Sequence, residues 1–395
     1  MKIAVVDPSL FTWPYDRELV GGLQLQGHEV RLFGKALPST DARSRDPLLR
    51  PLFYPRLATA DAWPAVLKRI AKGFSHFGSM ARLRRELAQW GPDVIHFQWL
   101  PLPVVDALYL PSLRRLAPLV LTVHDTMPFN GSPRSSVQTA GAFGAFRHFD
   151  HLIVHTDQGR QRLAPHAAAG LSRVPHGLLH EEGAAPAVDA PSDAAARHTV
   201  TLLMFGQIKP YKGVDVLLEA LARLPSETRA RTQVIVAGKP HMDMAPLRSL
   251  AAVLGVESTV EFTLGFIPDA DLSRLFTGSD AVLFPYREIE ASGALMASLA
   301  HAKPVIASRL GSFAELLEDG RHALLVPPGD PEALARAIER FVEQPALRQE
   351  LGQGVAALKA SIPSWSDIAA QTVAVYEQAG RRWRRQAGSA VRLQA

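Results

Sequence analysis

Short apolar runs rich in β-branched residues alternate with longer amphipathic runs along the whole chain, the pattern of parallel sheets whose strands are joined by crossover helices. In the first half, residues 3–7, 30–33, 94–97, 120–123 and 152–155 read as strands. In the second half, residues 202–205, 234–237, 260–263, 282–285, 305–307 and 323–326 do the same. Residues 181–197 are rich in Ala, Pro, Asp and Glu and have no apolar periodicity, so they read as a linker. The expected fold class is α/β, two doubly wound domains in tandem over residues 1–180 and 198–362, facing each other across a cleft. Residues 363–395 follow the last strand as a helix that crosses back to brace the first domain, with a basic tail.

Length and composition agree with this division. A chain of 395 residues exceeds one ordinary core. Its 47% hydrophobic and 21% charged residues exclude a fibrous or largely disordered protein. There is no cysteine, which removes disulfides, thiolate metal sites and cysteine catalysis. The opening run to Asp7 is too short for a signal-peptide core, and no apolar stretch approaches the ~20 residues that span a bilayer. A cytoplasmic protein is expected.

The net charge of +5 is unevenly spread. Lys68, Arg69, Lys72, Arg82, Arg84 and Arg85 crowd one segment, joined by His76 when protonated and interleaved with Ile70, Phe74, Phe77 and Met80. Arg381, Arg382, Arg384 and Arg385 surround Trp383 near the end. Basic helices with aromatics suit the headgroups of an anionic leaflet, here the inner face of a plasma membrane. The bland alternative packs the aromatics against the first domain and turns the charges to water. Nucleic acid is not an expected partner.

The chemistry concentrates at strand ends. After the strand at 202–205 comes Gly206-Gln207-Ile208-Lys209-Pro210-Tyr211-Lys212-Gly213 and then an amphipathic helix, an arrangement that offers cations and free N–H groups to a diphosphate. Taken alone, that octapeptide reads as well as a loop with two solvated lysines. A second segment favours the phosphate: Tyr286-Arg287-Glu288-Ile289-Glu290-Ala291-Ser292-Gly293 follows another strand and places Ser292 and Gly293 at a helix N-terminus. In the first half, strands run into His124-Asp125 and His155-Thr156-Asp157, and Val174 precedes Pro175-His176-Gly177. Imidazole can donate to a sugar hydroxyl or a phosphate, and a carboxylate can act as general base. Asp269-Ala270-Asp271 has metal-like spacing but opens a helix, where acids are ordinary capping and dipole chemistry. Neither a P-loop nor a dinucleotide fingerprint follows a strand.

These segments, with Gly265-Phe266-Ile267-Pro268, 280–285, 304–308 and Thr122-Val123-His124-Asp125, resemble the GT-B glycosyltransferases, especially family 4, over nearly the whole chain. The resemblance implies two Rossmann-like domains, a nucleotide-sugar bound mainly by the second as substrate rather than cofactor, an acceptor held mainly by the first, and no metal. Carried onto this sequence, it implies donor contacts at Gly206, Lys209, Lys212, Glu288, Glu290, Ser292, Gly293 and His176, with His124 touching the donor sugar and Asp125 positioning the acceptor or taking its proton. The family's arginine after the first glycine is Gln207 here, and Lys209 is a candidate to supply its charge. Of the family's glutamate pair, the second position holds Ala297 and the first falls on Ile289. The usual Gly-Gly of the first loop is also missing, since Gly21 and Gly22 lie inside the first helix. A subgroup with bacterial exopolysaccharide β-mannosyltransferases looks similar in its Pro-Tyr-Lys-Gly turn. The implied activity is hexosyl transfer from a nucleoside-diphosphate sugar to a hydroxyl of a lipid-linked or polysaccharide acceptor, retaining or inverting. A catalytically silent nucleotide- or sugar-binding partner of a glycan assembly complex and a nucleotide-sugar epimerase are the alternatives.

Overall fold

The structure is a computed structural model and describes residues 1–55, 65–126, 135–167, 169–179 and 199–392. The expected linker at 181–197 lies outside the described residues, as do the side chains of Lys68, Arg69, Ile70 and Lys72. The chain divides into two compact units, Met1–Gly177 with Pro363–Ala395, and Leu178–Ile362.

The first unit's sheet is built from β1 (Lys2–Asp7), β2 (Glu29–Lys35), β3 (Leu49–Phe53), β4 (Val94–Phe97), β5 (Leu119–Thr122), β6 (His151–Val154) and β7 (Leu171–Arg173). Their order across the sheet is β3-β2-β1-β4-β5-β6-β7, and every pair is parallel. Because alternate residues point to opposite faces, one strand feeds two cores. Ile3 and Val5 pack with Leu19, Leu23, Ile368 and Tyr376 on one side. Ala4 and Val6 pack with Met80, Leu83, Leu110 and Leu113 on the other. Burial on both faces is why these strands read as continuous apolar runs. The strands that escaped the pattern, β3 and β7, are the sheet's two edges. β3 carries exposed Arg50 and Pro51, and a proline without an N–H is tolerated at an edge.

Helix Trp365–Arg392 lies on helix Trp13–Leu25 within this unit. Gly22 permits the contact: a Cβ there would stand 2.4 Å from the Trp365 carbonyl oxygen, whereas one at Gly21 meets nothing within 4 Å. Gly22→Ala is expected to destabilise the first unit by ~1–3 kcal/mol through overpacking. Gly21→Ala should instead gain up to ~1 kcal/mol of helix propensity. Denaturant unfolding of the two variants checks the contrast.

The second unit is a parallel sheet of β8 (Val200–Phe205), β9 (Thr232–Gly238), β10 (Val260–Leu264), β11 (Ala281–Phe284), β12 (Val305–Ser308) and β13 (Ala323–Val326) in the order β10-β9-β8-β11-β12-β13. A single large core, including Leu203, Leu217, Phe284, Phe313 and Phe341, fills the space between its strands and helices. In doubly wound sheets the carboxyl ends of the strands are where ligands bind.

Candidate functional site

In the second unit, β8 ends at Gly206, whose φ of 101° suits glycine, and the chain closes a short 3-10 turn over Pro210–Lys212 before helix Val214–Arg223. Gly213 sits at φ 71°, and a Cβ there would lie 2.0 Å from the Pro285 carbonyl oxygen, so the loop presses directly on the end of β11. Arg287 fastens the same two loops, with both guanidinium nitrogens 2.7 Å from Asp215 carboxylate oxygens and its own N–H donating to the Tyr211 carbonyl.

This packing buries Lys212, which is only 6% exposed. Its Nζ lies 3.4 Å from the Phe205 carbonyl oxygen and 5.0 Å from the centre of the Tyr286 ring. Burial, reinforced by neighbouring Lys209, pulls its pKa down to about 7. Lys239 and His241, at the end of β9, complete a basic cluster with Lys209, whose charge helps hold His241 below its ordinary range after burial. A buried ammonium group without an ion pair is costly, and an anion arriving at the loop would relieve that cost.

The β11 loop separates the two glutamates named from sequence. Glu288 is exposed, whereas Glu290 is 5% exposed and its carbonyl accepts from the Ser312 N–H at 2.7 Å. Ser292 caps helix Gly293–Ala300 through its hydroxyl, which accepts from the Leu295 N–H at 3.2 Å. Ala297 faces the core of this unit, so no acid stands where the family's second glutamate would. The Tyr286 hydroxyl, buried beside Lys212, has no hydrogen-bond partner among the described residues.

In the first unit, the bend that follows β5 gives His124 and Asp125 different neighbours. His124 turns toward Tyr15, with ring centroids 4.7 Å apart, and toward His155. Asp125 lies on the other side, where it lines a small cavity of about 30 Å³ with Gln98, Thr122, Ala142 and Phe146. The His124 ring lies within hydrogen-bond distance of protein groups at both nitrogens: Nε2 is 3.0 Å from Gln98 Oε1, and Nδ1 is 3.0 Å from His155 Nε2. Burial, and then the charges of His155, His176 and His96, hold it well below the ordinary imidazole range, so it is neutral at pH 7. His155 is held down to about 3 and His176 to about 4, in both cases chiefly by burial.

His176 belongs to this first unit, 5.0 Å from the Tyr15 ring, while the other expected donor contacts belong to the second. Three groups escaped the sequence reading. Gln98 and Lys239 both directly follow strand ends, the signal that singled out His124. The third, Asp16, had no such signal; it shares the Thr12 hydroxyl with Asp7, and burial, then the Asp7 charge, raise its pKa well above the carboxylate range.

The basic segment also differs from expectation. His76 is fully buried, where its ring links the Tyr54 hydroxyl at 2.8 Å to Asp106 at 2.6 Å, and Met80 is core. Phe74 and Phe77 are 79% and 51% exposed, on the same outer face as Arg84 and Arg85, although Phe77 also packs edge-on against the Tyr109 ring at 5.0 Å.

Comparison with known proteins covers both units. Residues 15–178 match the model described as Glycosyltransferase Family 4, and residues 199–344 match that for Glycosyl transferases group 1. A D-inositol 3-phosphate glycosyltransferase of Nocardioides sp. is 31% identical over 329 residues, 75% of this chain and 70% of that protein. An MMP alpha-(1->4)-mannosyltransferase of Mycolicibacterium hassiacum is 30% identical over 48% of this chain, which spans only 45% of that protein's length. Among solved structures, sucrose-phosphate synthase from Thermosynechococcus elongatus superposes with a TM-score of 0.76 at 20% identity, covering 96% of this chain and 98% of that one. Anabaena HepE in complex with UDP and glucose gives 0.73 at 18% identity, covering 95% and 99%. These last two likenesses concern the fold.

Proposed function

The chain belongs to the family 4 glycosyltransferases, with their GT-B fold, and on that premise we propose that it moves a hexosyl group from a nucleoside-diphosphate donor to a hydroxyl of a lipid-linked or polysaccharide acceptor. The observation that carries the donor half is Lys212, a buried lysine at a strand-end loop whose contacts are a carbonyl oxygen and a ring rather than a carboxylate. With Lys209 and the amides near Gly206, Ser292 and Gly293, it would meet the charge that builds on the departing diphosphate. That assignment gives the work to side-chain cations and amides and none to a metal. Phe266, 81% exposed just beyond β10 at the same carboxyl end of the sheet as Gly206 and Gly238, offers an open ring face to a base. HepE holds UDP and glucose, which makes UDP-sugars the first donors to try.

In the first unit, Asp125 is the carboxylate assigned to the acceptor hydroxyl, as orienter or base. The test incubates the enzyme with labelled nucleotide-sugars and either a bacterial lipid extract or soluble polysaccharide. Transfer of label with release of nucleoside diphosphate supports the reading. Release of an isomerised nucleotide-sugar, or no turnover with any donor, contradicts it.

The exposed Phe74 and Phe77, flanked by Arg82, Arg84 and Arg85, support attachment to an anionic leaflet, which would bring the enzyme to a lipid-linked acceptor. No helix among the described residues is long and apolar enough to cross a membrane. Binding to anionic vesicles that weakens at high salt and in the Phe74→Ser, Phe77→Ser double variant is expected. Sedimentation indifferent to lipid charge removes this part of the account.

A further inference from the structure

The first unit contains a buried chain of imidazoles that the donor reading does not use. Val174 is fixed by its N–H, which donates to the Val154 carbonyl at 2.9 Å, and its own carbonyl oxygen lies 2.9 Å from His155 Nδ1. A carbonyl only accepts, so the proton between them belongs to His155 Nδ1. A neutral His155 then carries a lone pair on Nε2, and the only proton available for its 3.0 Å contact is one on His124 Nδ1. His155 is 6% exposed and its pKa is depressed, so it stays neutral throughout the working range.

We propose that His155 is a positioning residue that holds His124 as the Nδ1–H tautomer, leaving Nε2 as a lone-pair acceptor for a sugar hydroxyl. The inference deepens the reading of His124 as a substrate-facing group and rests on it. It also settles which way the nearby amide points. Gln98 Oε1 stands 3.0 Å from Nε2, and two lone pairs cannot share a hydrogen bond. The amide therefore presents its NH2 to His124, a half-turn about its last torsion that exchanges two groups of nearly equal shape. The half-turn gives up the amide nitrogen's longer contacts of 3.3 and 3.4 Å with His96, whose ring nitrogens keep closer partners in Tyr376 at 2.7 Å and Thr122 at 2.8 Å.

The tautomer decides the chemistry that His124 can recognise. With Nε2 unprotonated, a phosphate oxygen placed there meets a lone pair and is repelled. A hydroxyl donates to it and replaces the Gln98 amide one bond for one. His124 therefore selects a sugar hydroxyl over a phosphate, and the diphosphate is left to the lysines of the second unit.

The experiment is a long-range proton–nitrogen correlation spectrum of the full-length protein labelled on histidine, without substrate, with His124→Asn identifying the signal. Wild type is expected to show His124 protonated on Nδ1 and bare on Nε2. In His155→Leu, where Nδ1 has lost its acceptor, the proton should move to Nε2. In His155→Gln, whose side-chain carbonyl can accept from Nδ1, the wild-type pattern should return. A wild-type His124 protonated on Nε2, or the same pattern in the Leu and wild-type proteins, overturns the proposal. If His155→Leu does not fold, His155→Met, which likewise offers Nδ1 no nitrogen or oxygen acceptor, takes its place with the same two outcomes. Nucleotide-induced stabilisation is measured separately, so failure of the tautomer assignment and failure of the donor reading are distinguishable.

Discussion

Replacing Lys212 by Met is expected to lower turnover by ~10²–10³-fold while leaving the protein folded, the size of effect seen when one preorganised contact to developing negative charge is removed. Methionine fills a similar volume and keeps the contact with Tyr286 but carries no charge. The ligand-free enzyme holds Lys212 at a pKa of about 7, far below the ordinary 10.5, because burial penalises the ammonium. Between those two values the unfolded chain binds more protons than the native one, so this residue makes stability rise with pH across that window. The Met variant loses that slope and should be no less stable than wild type at pH 7. Bound diphosphate reverses the balance by stabilising the cation, so donor binding should take up a proton and weaken by up to tenfold per pH unit above about pH 7. Initial rates and proton uptake, measured in two buffers of different ionisation enthalpy, check both parts. Unchanged kinetics in Lys212→Met would make this lysine a structural residue.

Gly238→Ala should damage the second unit strongly. Gly238 ends β9 at φ 143°, a conformation that L-residues rarely adopt, and an added Cβ would stand 2.1 Å from the Gly206 carbonyl oxygen. Backbone strain and overpacking each cost ~1–3 kcal/mol, and here the obstacle is main chain, which cannot rotate away. The Gly206 carbonyl it strikes opens the loop that leads from β8 to Lys212, so nucleotide binding should fall together with stability. Gly265→Ala is the control. Its φ of 137° is nearly the same, but nothing lies within 4 Å of the added atom. It should carry the strain without the collision, and equal melting midpoints for the two variants would contradict the argument.

Particular residues show what the sequence could and could not reveal. Strands buried on both faces, such as β1 and β8, announce themselves as unbroken apolar runs, and the turn from Gly206 to Gly213 is visible because glycines and a proline mark its corners. The edge strands β3 and β7 are invisible to that rule because β3 exposes Arg50 and Pro51 and no residue of β7 is fully buried. Adjacency in sequence was misleading at His124-Asp125, since the chain bends past the end of β5 and the two side chains meet different neighbours. His76 looked like a member of a basic face because composition does not show which side of a helix a residue occupies; the structure buries it against Asp106. The burial that chiefly depresses the pKa of Lys212 sets it over Tyr286, more than seventy residues away, so the local motif could announce only the smaller share that comes from Lys209.

The central claim is that the second unit holds a nucleoside diphosphate through Lys212. It is tested most directly by thermal unfolding of wild-type and Lys212→Met protein with UDP, GDP, ADP, dTDP and their sugar conjugates. A ligand that binds only the folded state raises the midpoint, by an amount that corresponds to ~2.7 kcal/mol at a hundredfold excess over Kd. The account predicts that at least one nucleotide stabilises the wild type, more at pH 6.5 than at pH 8.5, and that the Met variant loses most of the shift. Melting curves unmoved by every nucleotide at millimolar concentration, or shifts of equal size in both proteins, would contradict it.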